Sequence, residues 1–74
     1  MQRMTAQSAR NIQAADTIEI TQLPSVPDRW VISLSVGNRR GYVASGDGLI
    51  MLYNSVDAAR RAVRRHTDVV PAVR

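Results

Sequence analysis

The stretch SVDAARRAVRRH, residues 55–66, decides the fold. At about 100° per residue, Val56, Ala58, Ala59, Ala62, Val63 and His66 fall on one half of a helical wheel. Asp57, Arg60, Arg61, Arg64 and Arg65 fall on the other. Ser55 is a good N-cap, because its hydroxyl accepts a bond from an otherwise unpaired N–H of the first turn. Asp57 then places negative charge at the positive end of the helix dipole, and the arginines gather at the negative end. The apolar half is mostly alanine and valine, side chains small enough to let a helix approach a sheet closely. The sequence upstream supplies the sheet.

Residues Trp30 to Val36 alternate most clearly: Trp30, Ile32, Leu34 and Val36 point one way, Val31, Ser33 and Ser35 the other. Thr17 to Thr21 alternates in the same manner, with Ile18 and Ile20 on one face, as in a half-buried strand. Leu23-Pro24-Ser25-Val26-Pro27-Asp28 lies between them. Its two prolines predict an extended connection rather than a tight hairpin. Gly37-Asn38-Arg39-Arg40-Gly41 reads as a hairpin turn, with glycine and asparagine supplying positive φ. Tyr42 to Ala44 gives a short third strand. Ser45-Gly46-Asp47-Gly48 gives a second turn, and Leu49 to Tyr53 a fourth strand, apolar on both faces. Past His66, Val69 and Val70 suggest a short edge strand, with Pro71 excluding a central position.

The predicted architecture is α+β: an antiparallel meander of about four strands, with one amphipathic helix packed on one face. Residues 17–74 form the single domain. Residues 1–16 are polar and alanine-rich, with Met4, Ile12 and Ala15 as sparse apolar points. They read as a loosely ordered arm or a short helix. The open face of the sheet is expected to carry Val31, Ser33 and Ser35, with Ile50 and Leu52.

Composition narrows the function. The chain has 74 residues and no cysteine, so neither a disulfide nor a thiolate metal site reinforces the core. One histidine is too few for a zinc site of the usual kind. A core this small is marginal, which favours a homodimer through a sheet edge or the open sheet face. The strands at Thr17–Thr21 and Leu49–Tyr53 lack the lysines that normally blunt an edge. No apolar run approaches the roughly 20 residues that span a bilayer, and residues 1–16 lack the apolar core of a signal peptide. These features predict a cytoplasmic protein without membrane contact.

The net charge is +4 and every basic residue is arginine. Up to Val36, three arginines balance Asp16, Glu19 and Asp28. From Gly37 onward, seven arginines face Asp47, Asp57 and Asp68. The whole excess therefore lies in the second half of the chain. Arg60 and Arg64 form one row at i, i+4, and Arg61 and Arg65 another. Like charges at that spacing destabilise a helix by about 0.2–0.5 kcal/mol a pair, and a plain solvated face more often mixes in glutamate. These four, extended by Arg39 and Arg40, are the candidate partner-binding residues. The alternative is a solvated helix face.

Catalysis finds little support. Nucleophilic chemistry needs a nucleophile, a base in reach and an orienting group, and His66 is the one base of suitable unperturbed pKa. It closes a helix among arginines, where covering the margin of the core is sufficient explanation. Gly46-Asp47-Gly48 lacks the lysine and the strand-to-helix setting of a phosphate loop. Trp30, Tyr42 and Tyr53 either stack on single-stranded bases or fill the core. The prediction is a protein that is not an enzyme and needs no metal or cofactor.

Arg40-Gly41-Tyr42-Val43-Ala44-Ser45, followed by a short strand and then Ser55-Val56-Asp57-Ala58-Ala59-Arg60, resembles small proteins of plasmids and integrated elements, some of them labelled partition-associated. The likeness covers residues 40–66, with Tyr53 standing where those proteins have phenylalanine. The resemblance implies a mobile genetic element, phage or plasmid, and an accessory or regulatory role without a catalytic residue. With the basic helix, it predicts binding to nucleic acid or a nucleoprotein complex. The alternative is a protein-binding inhibitor, as anti-CRISPR proteins are, that docks on an acidic protein surface or occupies a nucleic-acid groove.

Overall fold

Val26–Val36 (β3) is the middle strand around which the molecule is assembled. The computed structural model describes residues 2–4, 8–44 and 49–74, with side chains from Arg10 onward. On one side β3 pairs antiparallel with Thr17–Leu23 (β2), and on the other with Arg39–Val43 (β4). Two short strands lie outside these three. Gln2–Met4 (β1) runs parallel to β4, and Ala72–Val73 (β5) runs parallel to β2. The order is β1-β4-β3-β2-β5, with β3 alone opposed to the rest. Helices Ser8–Ala14 (α1) and Val56–Arg64 (α2) complete an α+β fold.

The alternation expected along β3 decides what is buried. Ile32 and Leu34 pair with Ile20 and Ile18 of β2, and with Val43 they form the floor of the core. Ala59 and Val63 of α2 and Ile12 of α1 close over it, so both helices cover the same face. Ile20, Ile32 and Leu34 are wholly withdrawn from water, worth roughly 1.5–3 kcal/mol each. Ala59 has no exposed surface either, which is how its small side chain lets α2 sit close to the strands.

The structure corrects several expectations. Residues 23–28 are no extended connection: Leu23 pairs with Val26, and Pro24-Ser25 is a tight turn. Both turn residues keep negative φ, which the proline ring presets at the first turn position. Between the pairs Thr21–Val31 and Leu23–Val26 the register shifts, β3 carrying the extra residues. Pro27 lies in this irregular stretch and is in none of the registered pairs, a position at which a residue without an N–H is tolerated. The next turn is also shorter than expected. It consists of Gly37-Asn38 alone, closing the pair Val36–Arg39, so Arg39 and Arg40 lie in β4. Gly37 alone has positive φ, +59°, and Asn38 does not, the pattern of a type II′ hairpin turn. The Gly37 N–H donates to Asp16 Oδ2 at 2.8 Å, while the Asp16 N–H donates to the Ser35 carbonyl at 2.7 Å. That carboxylate therefore fastens the entry to β2 onto the hairpin.

Residues 49–53 do not form a continuous fourth strand. They make two isolated bridges, Ala44 with Ile50 and Trp30 with Tyr53. The segment touches the end of β4 only through Ala44–Ile50 and β3 only through Trp30–Tyr53, so it contributes one residue pair to each and no run of pairs. The turn expected at 45–48 lies outside the described residues. In the N-terminal stretch, residues 8–14 are helical and Ile12 is buried in the core. At the other end, the edge strand is Ala72–Val73 rather than Val69–Val70. Pro71 is buried immediately before it, at a position where a missing N–H is tolerated. Of the two expected edges, Thr17–Thr21 is lined by β5 at Glu19 and Ile20, and Leu49–Tyr53 forms no continuous strand; β1 lines the outer side of β4. On the face away from the helices, Val31 and Ser33 are buried rather than open.

Candidate partner-binding groove on the outer face of helix α2

The helix that carries the arginines starts and stops where its sequence dictates. Ser55 is extended, and its Oγ accepts the Ala58 N–H at 3.1 Å. Asp57 lies in the first turn, Arg61 and Arg64 in the last. After Arg65 the chain reverses. The N–H groups of His66 and Thr67 both donate to the Val63 carbonyl, at 3.0 and 3.1 Å, and Thr67 Oγ1 accepts the Val69 N–H at 3.3 Å. A hydroxyl bonded two residues ahead is a local turn device, and here it sends residues 67–71 back along the helix. The returning segment is held at its far end by buried Pro71 and by β5. There the Arg74 N–H donates to the Ile20 carbonyl at 2.9 Å, and Arg74 Nε lies 3.5 Å from Glu19 Oε2.

Between helix and returning segment lies a groove of about 410 Å³. One wall is Asp57, Arg60, Arg61 and Arg64, spaced i, i+3, i+4, i+7 and so forming one stripe of the helix. The other is Thr67, Asp68, Val69, Val70 and Pro71. Arg60 lies 3.8 Å from Asp57 across an exposed surface, a contact worth little in stability. Among the described residues Arg61 and Arg64 have no ionic partner. Val69 and Val70 are 51% and 80% exposed, so the groove joins free positive charge to bare methyl groups.

The six expected site residues do not form one patch. Arg60, Arg61 and Arg64 line the groove, whereas Arg65 does not. Burial raises the Tyr53 phenol above its usual pKa, and the charge of Arg65 opposes that rise. Arg40 pairs with Ser35, which puts it on the sheet face opposite to α2. Arg39 opens β4 beside Val36, at the far end of β3 from the Trp30–Tyr53 bridge that leads into α2. Sequence reasoning also missed the second wall. Its signal was the pair Thr67 and Pro71, a turn residue and a strand starter bracketing two valines read as the strand itself.

The remaining polar groups have structural duties. Asp16 holds Gly37, Glu19 meets Arg74, and Arg29 Nη1 donates to Asn54 Oδ1 where the chain approaches α2. His66 is partly buried beneath the end of the helix. Trp30 and Tyr53 pack against the core, while Tyr42 pairs with Ser33 on the other face, so the aromatic residues share no stacking platform. Among the described residues there is no group of three or more His, Cys, Asp or Glu side chains that could hold a metal ion. No helix there is long and apolar enough to cross a membrane. Comparison with known protein families, characterised proteins and solved structures gives no match, so the groove and its charges carry the functional reading.

Proposed function

We propose that this chain is a small non-catalytic accessory protein that docks on an anionic macromolecule through the outer face of α2. The observation that carries the reading is the pair Arg61 and Arg64, exposed and without an ionic partner among the described residues, on a helix whose stability comes from its other face. With all the excess charge in the second half of the chain, nucleic acid or a nucleoprotein complex is the first partner class. The mobile-element setting follows from the resemblance of residues 40–66. A second reading, an inhibitor that docks on an acidic protein surface, is favoured by Val69 and Val70, whose methyl groups gain nothing from a phosphate backbone.

Titration onto a short DNA duplex over a range of salt separates the two. Each phosphate contact releases condensed counterions, so log K falls with log salt at about 0.9 per contact. Binding with a slope of about two to four supports engagement of two to four arginines. Absence of duplex binding, with a protein partner retained from cell lysate after nuclease treatment, moves the assignment to the inhibitor reading.

A further inference from the structure

The groove beside α2 is more selective than a basic patch. We infer that it takes an extended acidic polypeptide segment, with carboxylates on Arg61 and Arg64 and an intervening apolar side chain against Val69 and Val70. The inference rests on the reading of α2 as an anion-docking face and, of the two partner classes, takes the acidic protein surface over nucleic acid.

Shape is the first argument. A helix that inserts into a DNA groove presents a convex surface, but here the arginine stripe faces a second wall across about 410 Å³. That volume lies in the range of clefts that receive drug-sized ligands, roughly 300–1,000 Å³. Charge is the second. Duplex DNA carries a negative charge about every 1.7 Å of its axis and cannot step around a carboxylate in its path. Asp68 is such a carboxylate, exposed on the groove wall and without an ionic partner among the described residues. A polypeptide places its acids opposite Arg61 and Arg64 and a neutral residue opposite Asp68.

The apolar wall is the third argument. Val70 is 80% exposed, and covering it with an aliphatic side chain removes apolar surface from water, which is favourable. Both walls are formed before a partner arrives: α2 is capped by Ser55, and the returning segment is fixed by Pro71 and β5. The backbone of the two walls therefore adds little ordering cost on binding, which falls instead on the arginine side chains and the peptide.

The test measures fluorescence anisotropy of the full chain with three labelled probes: a peptide alternating aspartate with leucine, an oligo-glutamate of equal charge, and a DNA duplex. The alternating peptide should bind most tightly. Val70→Ser, at an exposed position that leaves the fold intact, should weaken that peptide by about tenfold and leave oligo-glutamate unchanged. Arg61→Gln with Arg64→Gln should weaken both peptides. An alternating peptide that binds no better than oligo-glutamate, or that is indifferent to Val70→Ser, overturns the inference. Duplex binding lost in the double Gln variant would then keep α2 as an anion-docking face. If none of the three probes binds, both the inference and the reading beneath it fail.

Discussion

Ala59 and Val63 on the inner side of α2 have no exposed surface, whereas Arg60, Arg61 and Arg64 on its outer side stand in solvent. The inner pair is held against the β2 and β3 side chains, where any change of volume or polarity is felt. Among the described residues the outer stripe has one loose exposed ion pair, Arg60 to Asp57, and no other ionic contact. Arg60 and Arg64 even repel one another at i, i+4, by about 0.2–0.5 kcal/mol. The helix tolerates that because its cap and its inner face supply the stability. On the proposed reading, folding and recognition occupy opposite sides of the same nine residues, and substitutions on the two sides should separate them.

The largest effect is expected at Ala59. Ala59→Asp places a carboxylate with no partner among Ile20, Ile32 and Val63, and should cost more than about 3 kcal/mol. Urea denaturation would show an unfolded protein or a midpoint far below wild type. Ala62→Asp, at the partly buried edge of the same face, should cost visibly less; equal losses would mean that the helix is rotated from the orientation described. Ser55→Ala removes the cap bonded to the Ala58 N–H and should cost about 1 kcal/mol, read as a lower midpoint with an unchanged denaturant slope. Smallest is Arg64→Ala, expected to stay within about 0.5 kcal/mol of wild type. A large loss there would give the outer face a structural role and erase the contrast.

Much of this contrast is legible in the sequence, because it is written at short range. The cap at Ser55, the alanines and valines at helical spacing, and the alternation through Trp30, Ile32 and Leu34 each report a local period that the core enforces. Turns were harder to read. Pro24 excludes some hairpins but presets the first position of another, and the register shift in β3 leaves no mark in a two-residue period. The groove was half legible. Its helical wall follows from the spacing of Asp57, Arg60, Arg61 and Arg64. Its second wall depends on the reversal at Thr67 and on pairing of Ala72 with Glu19, a parallel contact between distant parts of the chain that no local pattern encodes. Arg40 is misplaced for a different reason: residues 37–41 read as a turn, and with Arg39 and Arg40 in β4 side-chain alternation sets the two on opposite faces.

The central claim, that the outer face of α2 serves a partner and not the fold, is tested most directly by converting Arg60, Arg61, Arg64 and Arg65 together to Gln. Glutamine and arginine have close helix propensities, so the urea midpoint should match wild type or rise slightly as the like-charge pairs are relieved. In the same preparation, affinity for an anionic probe, duplex DNA or acidic peptide, should fall. For a duplex, the salt slope should flatten by about 0.9 for each phosphate contact removed. A variant that is equally stable and binds with undiminished affinity and slope would contradict the account, leaving the arginines as a solvated helix face.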